Sequence, residues 1–206
     1  MPGFPAPVAA AGAARRPRQR YIVTNVSVLH GCILTADAMK LTQILLDQLE
    51  REAVRTRRAL EHLPEGKDDW KPHPKSMPLL RLAGLVATMP SWIALVINQD
   101  ELDLSPPAGQ GQFQQPALDG LVGALEKAVG EGRAALAATS DDYLLTTSWK
   151  LLMKGNVVMN QPRHVVLADT FSHLAHHRAQ LSVYARLNDV PVPGIYGPSA
   201  DDQHFG

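Results

Sequence analysis

His173, His176 and His177 fall in the run Asp169-Thr-Phe-Ser-His173-Leu-Ala-His176-His177-Arg178-Ala-Gln180-Leu, which puts three imidazoles on a stretch of helical character. On an α-helix His173 and His177 differ by about 40° and lie one turn apart, so two imidazole nitrogens can converge on one divalent cation. His176 falls about 60° to the other side of His173. Asp169, one turn before His173, comes near the same face, where a carboxylate can bind metal or orient a ligand by accepting its second N–H proton. The same spacing also suits a polar pair on a solvated helix face, and spacing alone does not separate the two.

The chain that must position these groups has 206 residues, 45% of them hydrophobic, enough for one domain with a full core. Lys plus Arg and Asp plus Glu both number 20, which gives no electrostatic pull toward nucleic acid or an anionic membrane. The single cysteine, Cys32, excludes an internal disulfide and a cysteine-rich zinc site, and it fits a reducing, cytoplasmic compartment. No stretch reaches the roughly 18 consecutive apolar residues of a membrane span. The best, Leu79 to Ile97, is interrupted by Arg81, Pro90 and Ser91.

Residues 1–38 open on Pro, Ala and Arg without an apolar period and are read as a disordered or mis-assigned N-terminal extension, ahead of a domain at 39–206. The apolar run before Cys32 is broken by Thr24, Asn25 and Ser27, which speaks against an export signal. From Met39 to Leu63, apolar residues recur at threes and fours with Arg51, Glu52, Arg55 and Arg58 between them, an amphipathic helix ended by Pro64 and Gly66. A proline-containing loop follows with Trp70, which has an apolar body to bury. A second helix over Pro78 to Gln99 is apolar on nearly every face and should kink at Pro90, with Trp92 buried beside the kink. A third covers Pro116 to Ala138. Thr146 to Val158, with a Lys154-Gly155-Asn156 turn, reads as a hairpin or irregular strap. The fourth helix runs from Gln161-Pro162 to Leu187, and the proline-rich tail after Val190 is extended and runs back over the helices. The fold class predicted is all-α: a four-helix bundle with long connections, in which sites form between facing helices.

The helix order, the Trp70-Lys-Pro-His-Pro-Lys-Ser-Met77 loop, the Met89-Pro90-Ser-Trp92 turn, the His173-x-x-His176-His177-Arg178-x-Gln180 run and the Pro-Gly-Ile-Tyr-Gly-Pro-Ser tail together resemble the DinB/YfiT-like family, over Met39 to about Asp202. The resemblance implies a damage-inducible bacterial protein, commonly dimeric, with one histidine of the second helix and two of the fourth holding zinc or nickel. It implies metal-dependent hydrolase or thiol S-transferase chemistry with a low-molecular-weight thiol such as bacillithiol, mycothiol or glutathione. On this match His173 and His177 are the fourth-helix ligands, and Leu85 stands where the second-helix histidine belongs. His62, His73 and His164 are not placed to substitute for it, and Arg178 and Gln180 read as structural, holding the helix against a neighbour or a dimer mate. Leu85 also favours an alternative, a metal-free dimeric bundle that binds a small apolar ligand.

Overall fold

The computed structural model describes residues 39–105 and 116–203; the reading of residues 1–38 lies outside them. In chain order the elements are α1 (Leu41–Leu60), α2 (Leu79–Thr88), α3 (Ser91–Asn98), β1 (Glu101–Asp103), a 3-10 turn (Leu118–Gly120), α4 (Leu121–Ala138), α5 (Asp141–Thr146), β2 (Ser148–Met153), β3 (Asn156–Pro162) and α6 (Arg163–Leu187). Among them α1, the α2–α3 pair, α4 and α6 pack on one another around one core.

The all-α expectation is corrected by a three-stranded sheet of order β1-β2-β3, with β1 parallel to β2 and β2 antiparallel to β3. The expected hairpin at Thr146 to Val158 is its β2–β3 part. Lys154 and Gly155 turn it with φ of 52° and 75°, the pair of positive values that a two-residue hairpin loop requires. The Asp103 carboxylate holds that turn by accepting from the backbone N–H groups of Lys154 (3.1 Å) and Gly155 (2.8 Å). β1 is too short for its pattern to stand out in the sequence, which is why the third strand was not foreseen.

α1 buries Leu45, Leu49, Glu52, Thr56 and Ala59, a spacing of four and three that makes one inward stripe. Its first turn has no cap of its own. The Asp141 carboxylate at the start of α5 accepts instead from Leu41 N (2.8 Å) and Thr42 N (2.9 Å), and these bonds, the Thr42 one foremost, hold its carboxyl below the ordinary range. The kink expected at Pro90 is a break: α2 and α3 meet there at 52°. Proline cannot donate the helical bond, so the chain restarts at Ser91, whose hydroxyl donates to the Thr88 carbonyl at 2.8 Å. Among the described residues no single helix is long and apolar enough to cross a membrane, though the bent α2–α3 pair is by length and composition.

α4 crosses this break at Gly132. A Cβ there would lie 3.1 Å from the Pro90 carbonyl oxygen, 3.2 Å from Leu49 Cδ2 and 3.5 Å from Ile93 Cβ. Alanine would raise helix propensity by about 1 kcal/mol, but the nearest atom is backbone that cannot swing aside. Overpacking should win, and Gly132→Ala should lower stability by about 1–2 kcal/mol, read as an earlier midpoint in urea unfolding.

Trp70 and Trp92 pack against the core mostly buried, as expected, and the fully buried tryptophan is Trp149, at 3% exposure on β2. One sequence expectation about packing is corrected. Glu52, read among the charged residues between the apolar positions of α1, is buried at 1% exposure.

Candidate functional site

α6 begins with a buried arginine. The Arg163 guanidinium donates to the carbonyls of Val96 and Gln99 (2.7 Å for Gln99) and to Asp100 Oδ1 (2.6 Å), which fixes the start of α6 against the end of α3. Farther along, the Trp92 ring meets His173 edge-on at 5.5 Å. At the other end the Tyr184 hydroxyl donates to the Met77 carbonyl at 3.1 Å, and Trp70 packs edge-on against the Tyr184 ring at 5.4 Å. These anchors make α6 antiparallel to α2–α3. Because Leu85 lies between Met77 and Trp92, it falls within a turn of the level of His177, which lies between Tyr184 and His173. Leu85 itself is half-buried against the core.

On this side of α6 the predicted pair comes together. His173 Nε2 and His177 Nε2 are 2.9 Å apart, and the ring centroids are 4.7 Å apart. His177 Nδ1 lies 3.0 Å from Gln180 Oε1, and because an amide oxygen only accepts, Nδ1 carries the proton and Nε2 keeps its lone pair. His173 Nε2–H then donates to it. The Gln180 amide nitrogen donates in turn to His176 Nε2 at 2.9 Å. Gln180, read from the sequence as a packing residue, is thus the group that fixes the tautomer of His177. Burial, and after it the charges His177 and His176 would carry, push the His173 pKa below the ordinary 6.5, so its ring is neutral at pH 7.

The donor set fits a two-imidazole chelate. Two nitrogens bound tetrahedrally at about 2.0–2.1 Å from one ion stand roughly 3.3 Å apart, a small rotation from the observed separation once the His173 proton is carried on Nδ1 and frees its Nε2. It does not make a three-ligand set: among the described residues no group of three His, Cys, Asp or Glu could hold a metal ion. Asp169 is exposed and makes no hydrogen bond or ion pair there. His176 is turned to Gln180, His164 lies at the Leu144 carbonyl (3.3 Å), and His62 (2.7 Å from the Arg58 carbonyl) and His73 (accepting from Lys75 N at 3.1 Å) serve their own segments.

Behind the pair, Arg178 points into the protein at 1% exposure. It donates to Glu52 Oε2 at 2.5 Å, to Thr56 Oγ1 at 2.9 Å and to the Tyr196 hydroxyl, and Tyr196 donates to Glu52 Oε2 at 2.9 Å. Burial alone would raise the Glu52 pKa. Arg178, helped by Tyr196 and Arg55, more than offsets this and holds the carboxyl below its ordinary value. The tail crosses α1 and α6 as expected, pinned by Arg58–Asp202 and Arg186–Asp201, each at 2.6 Å. Nothing in the sequence marked Glu52 as the partner of Arg178, since the contact spans 126 positions.

No family model matches the sequence, and no curated protein matches it. Among solved structures the chain is similar to a DinB-like protein of Bacillus cereus, at 21% identity and a TM-score of 0.57, over 75% of this chain and 97% of that one. It is similar to a DinB-like protein of Bacillus subtilis at 17% identity and TM-score 0.54, over 71% and 92% of the two chains. A third, described as a putative member of the DinB family, from Exiguobacterium sibiricum, aligns at 19% identity and TM-score 0.51, over 72% and 91%. The fold of the described residues is that of the DinB-like proteins.

Proposed function

We propose that this chain is a member of the DinB family and acts as a metal-dependent hydrolase or thiol S-transferase, with His173 and His177 holding zinc or nickel in a site that lacks the third imidazole. The observation that carries this reading is the convergence of the two Nε2 atoms, with His177 fixed in the ligating tautomer by Gln180. When bound, a divalent ion supplies Lewis acidity, which makes water or a small thiol a nucleophile near neutral pH. The chain's own residues set the stage for it: Gln180 orients His177, the Trp92 edge shields one side of His173, and the Arg178–Glu52 pair fixes the helix that carries both histidines. The proposal includes a homodimer in a bacterial cytoplasm, with a low-molecular-weight thiol as co-substrate and no nucleic-acid or membrane partner.

Titrating zinc or nickel into untagged protein while following thermal unfolding tests it. Metal should raise the melting temperature by mass action, His173→Ala and His177→Ala should abolish the rise, and Gln180→Leu should weaken the metal about tenfold. A parent that binds no metal, or binds it equally in both alanine variants, would reject the reading. The half-buried Leu85 at the ligand position favours a second one: a metal-free dimeric protein holding a small apolar ligand between its helices.

A further inference from the structure

We propose that a divalent ion on His173 and His177 takes its third imidazole from a second copy of this chain, the partner's His176, with the two α6 helices packed antiparallel across a two-fold axis. This rests on the His173–His177 pair being the metal site proposed above. Inside one chain the set stops at two: among the described residues no group of three His, Cys, Asp or Glu could hold an ion, whereas zinc usually takes three or four protein ligands. The pair is not enclosed by its own chain either, since His173 is exposed and the contact between the two Nε2 atoms lies at the surface. His176 is exposed on the same helix, its ring centroid 5.0 Å from that of His177. Its Nε2 accepts from the Gln180 amide at 2.9 Å, and an amide nitrogen only donates, so the lone pair sits on the outer ring nitrogen, in a tautomer that can ligate.

The exposed face of α6 suits a second copy of itself. Asp169, Ser172, His176, Ala179 and Val183 recur at threes and fours along one unbroken helix, and all five are exposed. Ser172 and Ala179, one turn to either side of His176, are small and let another helix come close. With the two-fold axis at His176, positions seven residues to either side of it meet, so Asp169 comes opposite the partner's Val183 and its charge faces no acid. His173 and His177 lie within one turn of that axis. The partner's His176 therefore stands beside the pair, and the symmetry repeats the arrangement, giving two sets of three imidazoles per dimer, each with a position left open as in catalytic zinc sites. Val183, at 55% exposure, is the only large apolar side chain among the five, so the ligand bonds and not apolar burial must join the copies.

Complementation between two variants tests the exchange, with zinc as the probe and calorimetric titration as the readout. In His176→Ala zinc affinity should fall at least about tenfold, and in His173→Ala/His177→Ala it should be lost. Co-expressed and purified together, the two should recover the parent's affinity at one zinc per two chains, because one chain supplies the pair and the other supplies His176. Sedimentation velocity should show the zinc-loaded parent as a dimer, and on dilution its zinc affinity should fall to that of His176→Ala. Parent-like affinity in His176→Ala, a mixture that binds no tighter than its tighter member, or a zinc-loaded parent that stays monomeric overturns the proposal and leaves a metal site within one chain standing. A parent that takes up no zinc rejects the metal reading itself, and this inference with it.

Discussion

Replacing Arg178 with methionine should destabilise the protein by about 3 kcal/mol, the low end of what breaking a buried ion pair costs. The low end applies because Arg55, 18% exposed at the rim, still reaches Glu52 Oε1 at 2.8 Å after Arg178 is gone. Glu52→Leu combined with Arg178→Met should restore most of the loss, because an apolar pair of similar volume removes the unpaired charge together with its partner. The pH dependence gives a sharper test. In the parent the Glu52 pKa is below the ordinary 4.5, so its contribution is present above that pH and lost as pH falls through the folded value. In Arg178→Met the largest interactions that lower the pKa are gone while burial stays, so the folded pKa should move up and the stability that Glu52 contributes above pH 4.5 should shrink. Urea unfolding of parent and variant between acid and neutral pH should show the gap widening with pH. A constant gap would mean that Glu52 takes another partner.

Leu85→His should increase affinity for zinc or nickel on the order of 100-fold or more, about 2.7 kcal/mol. Two imidazoles hold an ion loosely, and a third at the level of His177 completes a three-ligand set with a position left open. The gain should vanish in Leu85→His/His173→Ala and in Leu85→His/His177→Ala. Without metal the variant should be less stable than the parent, since it puts a polar ring where Leu85 packs against the core, and saturating metal should reverse the loss. Calorimetric titration and thermal unfolding read the two effects separately. Equal affinity in parent and variant would place Leu85 outside the reach of the pair.

The helices and the His173–His177 pairing were legible in the sequence because both are periodic: inward apolar residues repeat at threes and fours, and a ligand pair one turn apart has the same signature. Pro90 announced the break in the second helix, and Lys154-Gly155 announced the hairpin turn. What escaped was set by contacts between distant segments. Glu52 occupies a position on α1 that looks polar in isolation and is buried only because Arg178 arrives from α6. Gln180 looked like packing because its role depends on which ring nitrogen of His177 it meets. β1 exists because three residues happen to lie beside β2, and no alternation over three residues can reveal that.

The borrowed cap on α1 has a consequence for how the chain acquires its shape. Leu41 and Thr42 find their acceptor 100 and 99 positions away, on Asp141. A nascent α1 leaving the ribosome therefore has a frayed start that is completed only after the middle of the chain has been made and α5 has docked. In native-state hydrogen exchange these two amides should not behave as the loose end of a helix. They belong to the same cooperative opening as α5, so the boundary between early- and late-protected segments cuts through α1 instead of following its ends.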